Sequence, residues 1–379
     1  MELLHKGFDA LDLAYAVHFP TKYMPKLNAA KQRAMEIGQP VPVWFGDVGF
    51  NVASTGARGG YAFRCDTGSA GEIWFLKKPS TNDPWGVRIS VSAVQCALVG
   101  LAGVKRRIEE KFEKLGVAFR DGQESISRVD FALDFIIPNF TLVADNFVMH
   151  PRATRMAHVD ISEYKSGGRS GRTESVTVGK NPGRQIIIYD KRAEVLNKGN
   201  SHWPVVWNKS REKLGLPPID LQDRDASQIW RVELRAYKRH LKDDWDVATW
   251  WQLQEKLPNI LNSLITDIRY TAPSLDMNRS RWPDHPLWTR VRTELQGGLS
   301  EMKSFATESA IKERLHAEHD DMLKAMIAGS LIALAAHRNT ELANLPAFTR
   351  NAAEEFITMF RDHPAKTERK LAQSKGKYS

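Results

Sequence analysis

Three short segments carry the residues of greatest chemical reach: Ser127–Asp134 (Ser-Arg-Val-Asp-Phe-Ala-Leu-Asp), Gln185–Lys191 (Gln-Ile-Ile-Ile-Tyr-Asp-Lys) and Trp230–Lys238 (Trp-Arg-Val-Glu-Leu-Arg-Ala-Tyr-Lys). A β-strand points alternate side chains to opposite faces. Read as strands, the first puts Arg128, Asp130 and Asp134 on one face and Val129, Phe131, Leu133 and Phe135 on the other. The third puts Arg231, Glu233, Arg235 and Tyr237 opposite Trp230, Val232, Leu234 and Ala236. In the second, Tyr189 shares a face with Lys191, and Ile188 opposes it. If the three lie in one sheet, carboxylates, arginines, a lysine and a tyrosine meet on one surface. That set suits cation-assisted chemistry on a phosphodiester with a tyrosine nucleophile.

Each residue also has a plainer reading. Asp130 between Val129 and Phe131 is costly in a strand unless solvated, paired or functional. It is either an ion-pair partner of Arg128 or Arg231, or a ligand for a hard divalent cation, to which Asp134 and Glu233 could add oxygens. Tyr189 is either a half-buried packing residue or a nucleophile whose phenolate needs nearby cations. Lys191, Lys180 and Arg184 could supply them. Tyr237 and Tyr270 are rivals, and the residues alone do not choose among the three. There is no Walker A loop and no His-x-His pair. His316 and His319 lie three apart on an expected helix, in a position more suited to a solvated face than to a metal.

The positioning elements follow from periodicity. Residues 1–100 read as strands and turns with one or two helices, including strands at 45–53, 61–65, 71–76 and 85–92. Val104, Ile108, Phe112 and Leu115 recur at helical spacing, and Gly116 is a natural stop, predicting a helix over 102–116. Residues 139–156 read as helical or irregular. Ser166–Arg172 reads as a flexible basic turn. Thr173–Gly179 and Arg184–Tyr189 form a hairpin around Lys180-Asn-Pro-Gly183. Residues 197–228 read as a loop with short helices. Beyond Asp243 the pattern is helical: 245–264, 288–301, 307–336 and 346–361. The fold class expected is α+β, a mostly antiparallel central sheet with flanking helices, followed by a helical C-terminal region. Pro258, Pro273, Pro283 and Pro286 suggest a boundary near 255–285. This gives a catalytic domain over 1–255, a helical region over 256–365 for DNA binding or oligomerisation, and a basic disordered tail over 366–379.

The 379 residues are 42% hydrophobic and 26% charged, with a net charge of +9, which favours nucleic acid or an anionic membrane as partner. Cys65 and Cys96 show neither zinc spacing nor a disulfide framework and read as buried thiols. The longest apolar stretch, Met326–Ala336, falls short of the about 20 residues that span a bilayer. With no signal pattern at the N-terminus, a cytoplasmic protein is expected.

Taken together, the three segments resemble the Rep-trans class of rolling-circle replication initiators of plasmids, filamentous phages and integrative elements. Members carry an Arg-x-Asp-x-Ala-x-Asp strand, an Ile-x-Ile-Tyr-x-Lys strand and a Trp-Arg-x-Glu strand in that order. Here these read Arg128–Asp134, Ile186–Lys191 and Trp230–Glu233. The resemblance covers roughly residues 120–245. It implies Tyr189 as nucleophile, with Lys191 and Arg231 assisting, and Asp130, Glu233 and Asp134 holding Mg²⁺ or Mn²⁺. It also implies a 5′-phosphotyrosine, a homodimer and nicking of a double-stranded origin; a host helicase is a further candidate partner. Some relatives have Arg-Val-Glu in an upstream strand, where this chain has Arg88-Ile-Ser90. Candidate DNA contacts are Arg128, Arg169, Arg172, Lys180, Arg184, Arg235 and Lys238. The rival functions are an origin-binding protein without catalysis, and a metal-dependent nuclease that uses water. The arrangement of a tyrosine recombinase is not found.

Overall fold

The computed structural model describes residues 1–371 except 69, 150–163, 170, 297–298, 300–301 and 369. Eleven strands form one antiparallel sheet: β1 (Glu2–Tyr15), β2 (Val41–Phe45), β3 (Val48–Val52), β4 (Phe63–Asp66), β5 (Glu72–Leu76), β6 (Val87–Val91), β7 (Glu124–Ile136), β9 (Tyr164–Arg169), β10 (Arg172–Gly179), β11 (Arg184–Asp190) and β12 (Ile229–Tyr237). Their spatial order is β2-β3-β4-β5-β6-β1-β7-β12-β11-β10-β9. A two-stranded sheet pairs β8 (Phe147–Met149) with β13 (Ile268–Tyr270). The α+β class expected from the sequence is the class observed.

The chain divides into two compact units, Met1–Glu308 and Ser309–Ser379. The first therefore extends well beyond residue 255. The reason lies in α5 (Trp250–Asp267) and α6 (Pro286–Glu294). Leu253, Leu257, Ile260, Leu261 and Leu264 of α5, and Leu287, Trp288 and Val291 of α6, join the same hydrophobic core as the sheet. Pro258 sits inside α5, and Pro286 opens α6, where a missing N–H costs nothing. Neither proline marks a linker. The second unit contains α7 (Glu308–His337) and α8 (Leu345–Asp362), with Arg338 forming a bidentate pair to Glu355 at 2.8 and 2.9 Å. Residues 364–368 are helical, so the expected disordered tail does not begin at 366; residues 372–379 lie outside the described residues.

Long α2 (Ala93–Leu115) covers the apolar face of the sheet, setting Leu101, Val104, Ile108 and Phe112 against Phe8, Leu11 and Leu13. Ser92 caps its start by accepting from the Gln95 N–H. Gly116, at φ 69°, ends it. The helix begins nine residues before the expected 102–116 span because it continues across a kink at Gly100, whose φ of 65° and ψ of −179° suit glycine alone. Tyr15 packs edge-on against Phe112, and its hydroxyl accepts from the Trp250 indole at 3.0 Å, tying α5 to the same face.

Several local expectations change. The strand expected at 45–53 is a hairpin, β2–β3, turning at Gly46–Asp47. Ser166–Arg172 is not a loose turn: β9 and β10 pair through it, with Arg169 opposite Arg172. Of the stretch 139–156, the described part contains strand β8, and the rest lies outside the described residues. The span 197–228 contains α4 (His202–Lys213), following α3 (Lys191–Lys198). Cys65 and Cys96 are buried free thiols, as expected, and burial pushes the Cys65 thiol up to about 12. No helix among the described residues is long and apolar enough to cross a membrane.

Candidate active site

The three motif strands are adjacent. β7 pairs with β12, and β12 with β11. Arg235 lies opposite Asp130, Arg231 opposite Asp134, Glu233 opposite Ala132, and Tyr189 opposite Arg231. The face alternation read from the sequence thus gathers Asp130, Asp134, Glu233, Arg231, Arg235 and Tyr189 on one side of the sheet. The opposite side, with Phe131, Leu133, Trp230, Val232 and Leu234, is core.

On the other flank of β7 runs β1, which brings residues the motif strands did not announce. Phe8 pairs with Phe131 and Ala10 with Asp130, so Asp9 is an extra residue in a β-bulge. Bulges re-aim side chains. Here the Asp9 carboxylate reaches the Arg231 Nη1 at 2.5 Å. A trace of this is present in the sequence: Phe8 and Leu11 both point into the core although three residues apart, which breaks a period of two.

Arg231 is the hub of a buried cluster. Its Nε and Nη2 donate to Asp134 at 2.6 and 2.8 Å, a fork on a carboxylate. Trp207 Nε1 also donates to Asp134, at 2.8 Å. The Trp203 ring stacks over the guanidinium at 3.9 Å, and His5 meets Trp203 edge-on. Both tryptophans come from α4, which seals this end of the polar face. Asp134 therefore has both oxygens engaged and is buried, which suits an anchor for Arg231 rather than the cation ligand expected of it. Arg231, itself buried, holds strands together and does not face an open cleft. The cation beside them keeps Asp134 and Asp9 ionised, and both carboxyls lie below the usual range despite burial.

Farther along the strands, Asp130 and Glu233 are also buried, but beneath arginines that are themselves partly exposed. Asp130 accepts from Arg128 Nε at 3.0 and 2.9 Å and from Arg128 Nη2, and Arg235 Nε lies 3.5 Å away. Arg235 Nε donates to Glu233 Oε1 at 2.7 Å. Burial nevertheless pushes the Asp130 carboxyl up to about 7, and the Glu233 charge adds to the rise. Arg128 and Arg235 supply one positive charge for each of the two carboxylates. A hard cation such as Mg²⁺ needs only one or two protein carboxylates, with water and phosphate oxygens completing its shell. Asp130 and Glu233 fit that requirement if Arg128 and Arg235, each about one-quarter exposed, swing aside. Among the described residues no three His, Cys, Asp or Glu side chains form a metal-binding group, the helical His316 and His319 included.

Tyr189 is partly exposed at the edge of this surface. Among the described residues its hydroxyl takes no hydrogen bond. The rivals differ: Tyr237 donates to Gln185 Oε1 at 2.9 Å, and the buried Tyr270 hydroxyl accepts from the Val143 N–H at 3.0 Å. Burial holds the Tyr189 phenol well above its ordinary pKa; Arg231 lowers it, while Glu233, Asp9 and Asp134 raise it further. Lys191 sits 5.6 Å above the Tyr189 ring and 4.8 Å above that of Trp203, with its Nζ 2.7 Å from Glu194. Burial, then the Arg231 charge, lowers its pKa.

The expected DNA contacts divide into two groups. Lys180 and Lys238 are exposed. Arg172 pairs with Asp190 at 3.2 Å, and Arg184 with Asp267 of α5 at 3.1 Å. Arg128 and Arg235 hold the carboxylates just described. The Arg169 side chain lies outside the described residues.

His5 and His202 flank the Arg231 cluster with ring Nε2 atoms that take no hydrogen bond. Burial lowers both pKa values from 6.5 to about 4. Each stays neutral in the fold, while the unfolded chain takes up a proton between pH 6.5 and 4. Stability therefore falls as pH falls through that window, by roughly 3 kcal/mol per histidine at most. Asp130 acts in the opposite sense: its raised pKa contributes stability at low pH that is lost as pH rises from 3.8 to about 7. Two losses against one gain leave net acid destabilisation. Urea midpoints should be lower at pH 4.5 than at pH 7 for the wild type, and the difference should reverse sign in a His5→Gln/His202→Gln variant, where the Asp130 effect is left unopposed.

No family model and no curated protein matches the chain. Among solved structures, the chain is similar to a rolling circle replication initiator protein from Geobacillus stearothermophilus. The identity is 13%, the match covers 79% of this chain and 98% of that one, and the TM-score is 0.42.

Proposed function

We propose that the protein is a replication initiator that nicks one DNA strand by transferring it to Tyr189. The observation that carries this reading is the Tyr189 hydroxyl. Of the three candidate tyrosines it alone is without a hydrogen-bond partner among the described residues, and it shares a face with Asp130 and Glu233. In the reaction the Tyr189 oxygen attacks phosphorus and the bond from phosphorus to the 3′ oxygen breaks. The products are a 5′-phosphotyrosine and a free 3′ hydroxyl that can prime synthesis. The phosphotyrosine conserves the bond for rejoining, so no nucleotide hydrolysis is needed. Burial and then the neighbouring carboxylates hold the proton on the phenol, so its loss to water requires added positive charge beside Tyr189. Asp130 and Glu233 are the residues that would hold Mg²⁺ or Mn²⁺, which when bound supplies Lewis-acid polarisation of a phosphoryl oxygen. Lys191 and Arg231 hold positive charge beside the Tyr189 ring, and Arg235 can turn to a phosphoryl oxygen. A homodimer, an origin as DNA partner and a helicase belong to the same reading.

Supercoiled DNA carrying the cognate origin, incubated with Mg²⁺ or Mn²⁺, should yield nicked circles with DNA attached to the Tyr189 peptide on mass mapping. Glu233→Gln should raise the cation concentration for half-maximal nicking by about 10–100-fold. A second reading is a non-catalytic origin-binding protein. It is favoured by the pairing of each acidic motif residue with an arginine: Asp130 with Arg128, Glu233 with Arg235, Asp134 with Arg231. That reading predicts binding without nicking or adduct with either cation.

A further inference from the structure

A cleft of about 230 Å³ opens on the same face of the sheet, lined by Asp12, Arg88, Ser127, Arg128, Asn181, Pro182, Tyr237 and Lys238. Arg128 and Tyr237 are register partners, and Asp130 and Arg235 are the next pair on that face. Two strand residues, about 7 Å, separate the cleft from Asp130. That distance is comparable to the step between successive phosphates of an extended strand.

Arg88 is the distinctive residue here. It stands on β6 opposite Ala14 of β1, half-buried, with its guanidinium stacked 4.5 Å from the Phe75 ring. Its Nε is buried and has no hydrogen-bond partner. No acidic side chain pairs with it among the described residues. A buried, unpaired guanidinium nitrogen is costly unless a ligand completes it. Lys238 is exposed at the rim, where Asn181 of the β10–β11 turn adds a side-chain amide. Asp12 is the one acid in the lining, and Arg128 is already held by Asp130. The cleft thus offers Arg88 and Lys238 against Asp12, a net positive site with a planar fork suited to a phosphodiester.

We propose that this cleft binds a backbone phosphate of the DNA strand, one step from the phosphate that Tyr189 attacks, with Arg88 as anchor and Lys238 as rim contact. The inference rests on the nicking reading, and it assigns Arg88 a role that the nucleophile and carboxylates do not imply. A phosphate here also faces Arg128, and so competes with Asp130 for the same guanidinium. Ligand binding would then loosen the arginine that blocks the carboxylate.

The test uses the full chain and a fluorescein-labelled single-stranded oligonucleotide spanning the nick site, without divalent cation, in a series of salt concentrations. Arg88→Ala and Lys238→Ala should each weaken binding and reduce the slope of log affinity against log salt by about 0.7, the value for one lost contact to a single strand. Arg33→Ala, at an exposed position of the helix Met24–Ile37, should change neither. Circular dichroism and urea midpoints identify any variant that does not fold, and Arg88→Gln then serves in place of Arg88→Ala, keeping a polar side chain over Phe75 but losing the charge. Unchanged affinity and slope in both cleft variants, with a Tyr189 adduct still formed by the wild type, overturns the cleft and leaves nicking intact. Reduced slopes with no adduct in any cation support the cleft and remove the nicking reading. No binding by the wild type overturns both.

Discussion

Tyr189→Phe is expected to lose covalent capture of DNA by a factor on the order of 10³ or more, as when a nucleophile is deleted from a working site. The substitution removes one hydroxyl and leaves the ring in place. Because that hydroxyl takes no hydrogen bond among the described residues, stability should change by no more than about 0.5 kcal/mol. Origin binding should persist, since the arginines and lysines of the face are untouched. Tyr237→Phe is the matched control: it loses the bond to Gln185 and should keep the adduct. Denaturing gels of labelled origin DNA read the first quantity and urea midpoints the second. Cleavage at the wild-type rate in Tyr189→Phe would mean that water is the nucleophile and the protein is a metal-dependent nuclease.

Arg231→Met should destabilise the fold by about 3–5 kcal/mol, the largest stability effect expected of any single change on this face. The loss is not the value of the ion pair itself. It is the cost of leaving Asp134 and Asp9 ionised in a buried site without their cation. Arg231→Lys should recover only part, because an ammonium cannot form the two parallel bonds to Asp134 or stack flat against Trp203. Asp134→Leu alone leaves Arg231 with Asp9 as its remaining carboxylate. The double variant Arg231→Met/Asp134→Leu should lie closer to wild type than Arg231→Met, since the pair then vanishes together. Urea midpoints of the four proteins close the cycle. Equal midpoints for Arg231→Met and wild type would show that the cluster carries no net energy.

Much of the polar face was legible because a strand's alternation is strict. Asp130, Asp134, Glu233, Arg231 and Tyr189 fall on the predicted side, and the helix stop at Gly116 and the hairpin around residues 180–183 are where periodicity and turn chemistry put them. What could not be read was long-range pairing. Nothing in Leu3–Leu13 says that it will lie between residues 87–91 and 124–136. Asp9 and His5 were therefore invisible as partners of Arg231 and Asp134. Trp203 and Trp207 sat in a stretch rich in proline and charge, and only tertiary packing lays α4 over the arginine. The boundary near 255 failed for a related reason: prolines mark local geometry, whereas a compact unit ends where apolar burial ends.

The strand order has a consequence for how the molecule is made. β1 is synthesised before every strand it joins, yet it lies in the middle of the sheet, between β6 and β7. Its partners emerge some 70 to 130 residues later, and β7 then waits roughly a further 100 residues for β12. Such non-local pairing makes folding slow and leaves unpaired edges exposed on the nascent chain. The polar face therefore does not exist in any fragment that stops short of Tyr237. A growing chain can bear Asp130 and even Tyr189 without their neighbours on β12, so an unfinished molecule carries the residues of the site without its geometry.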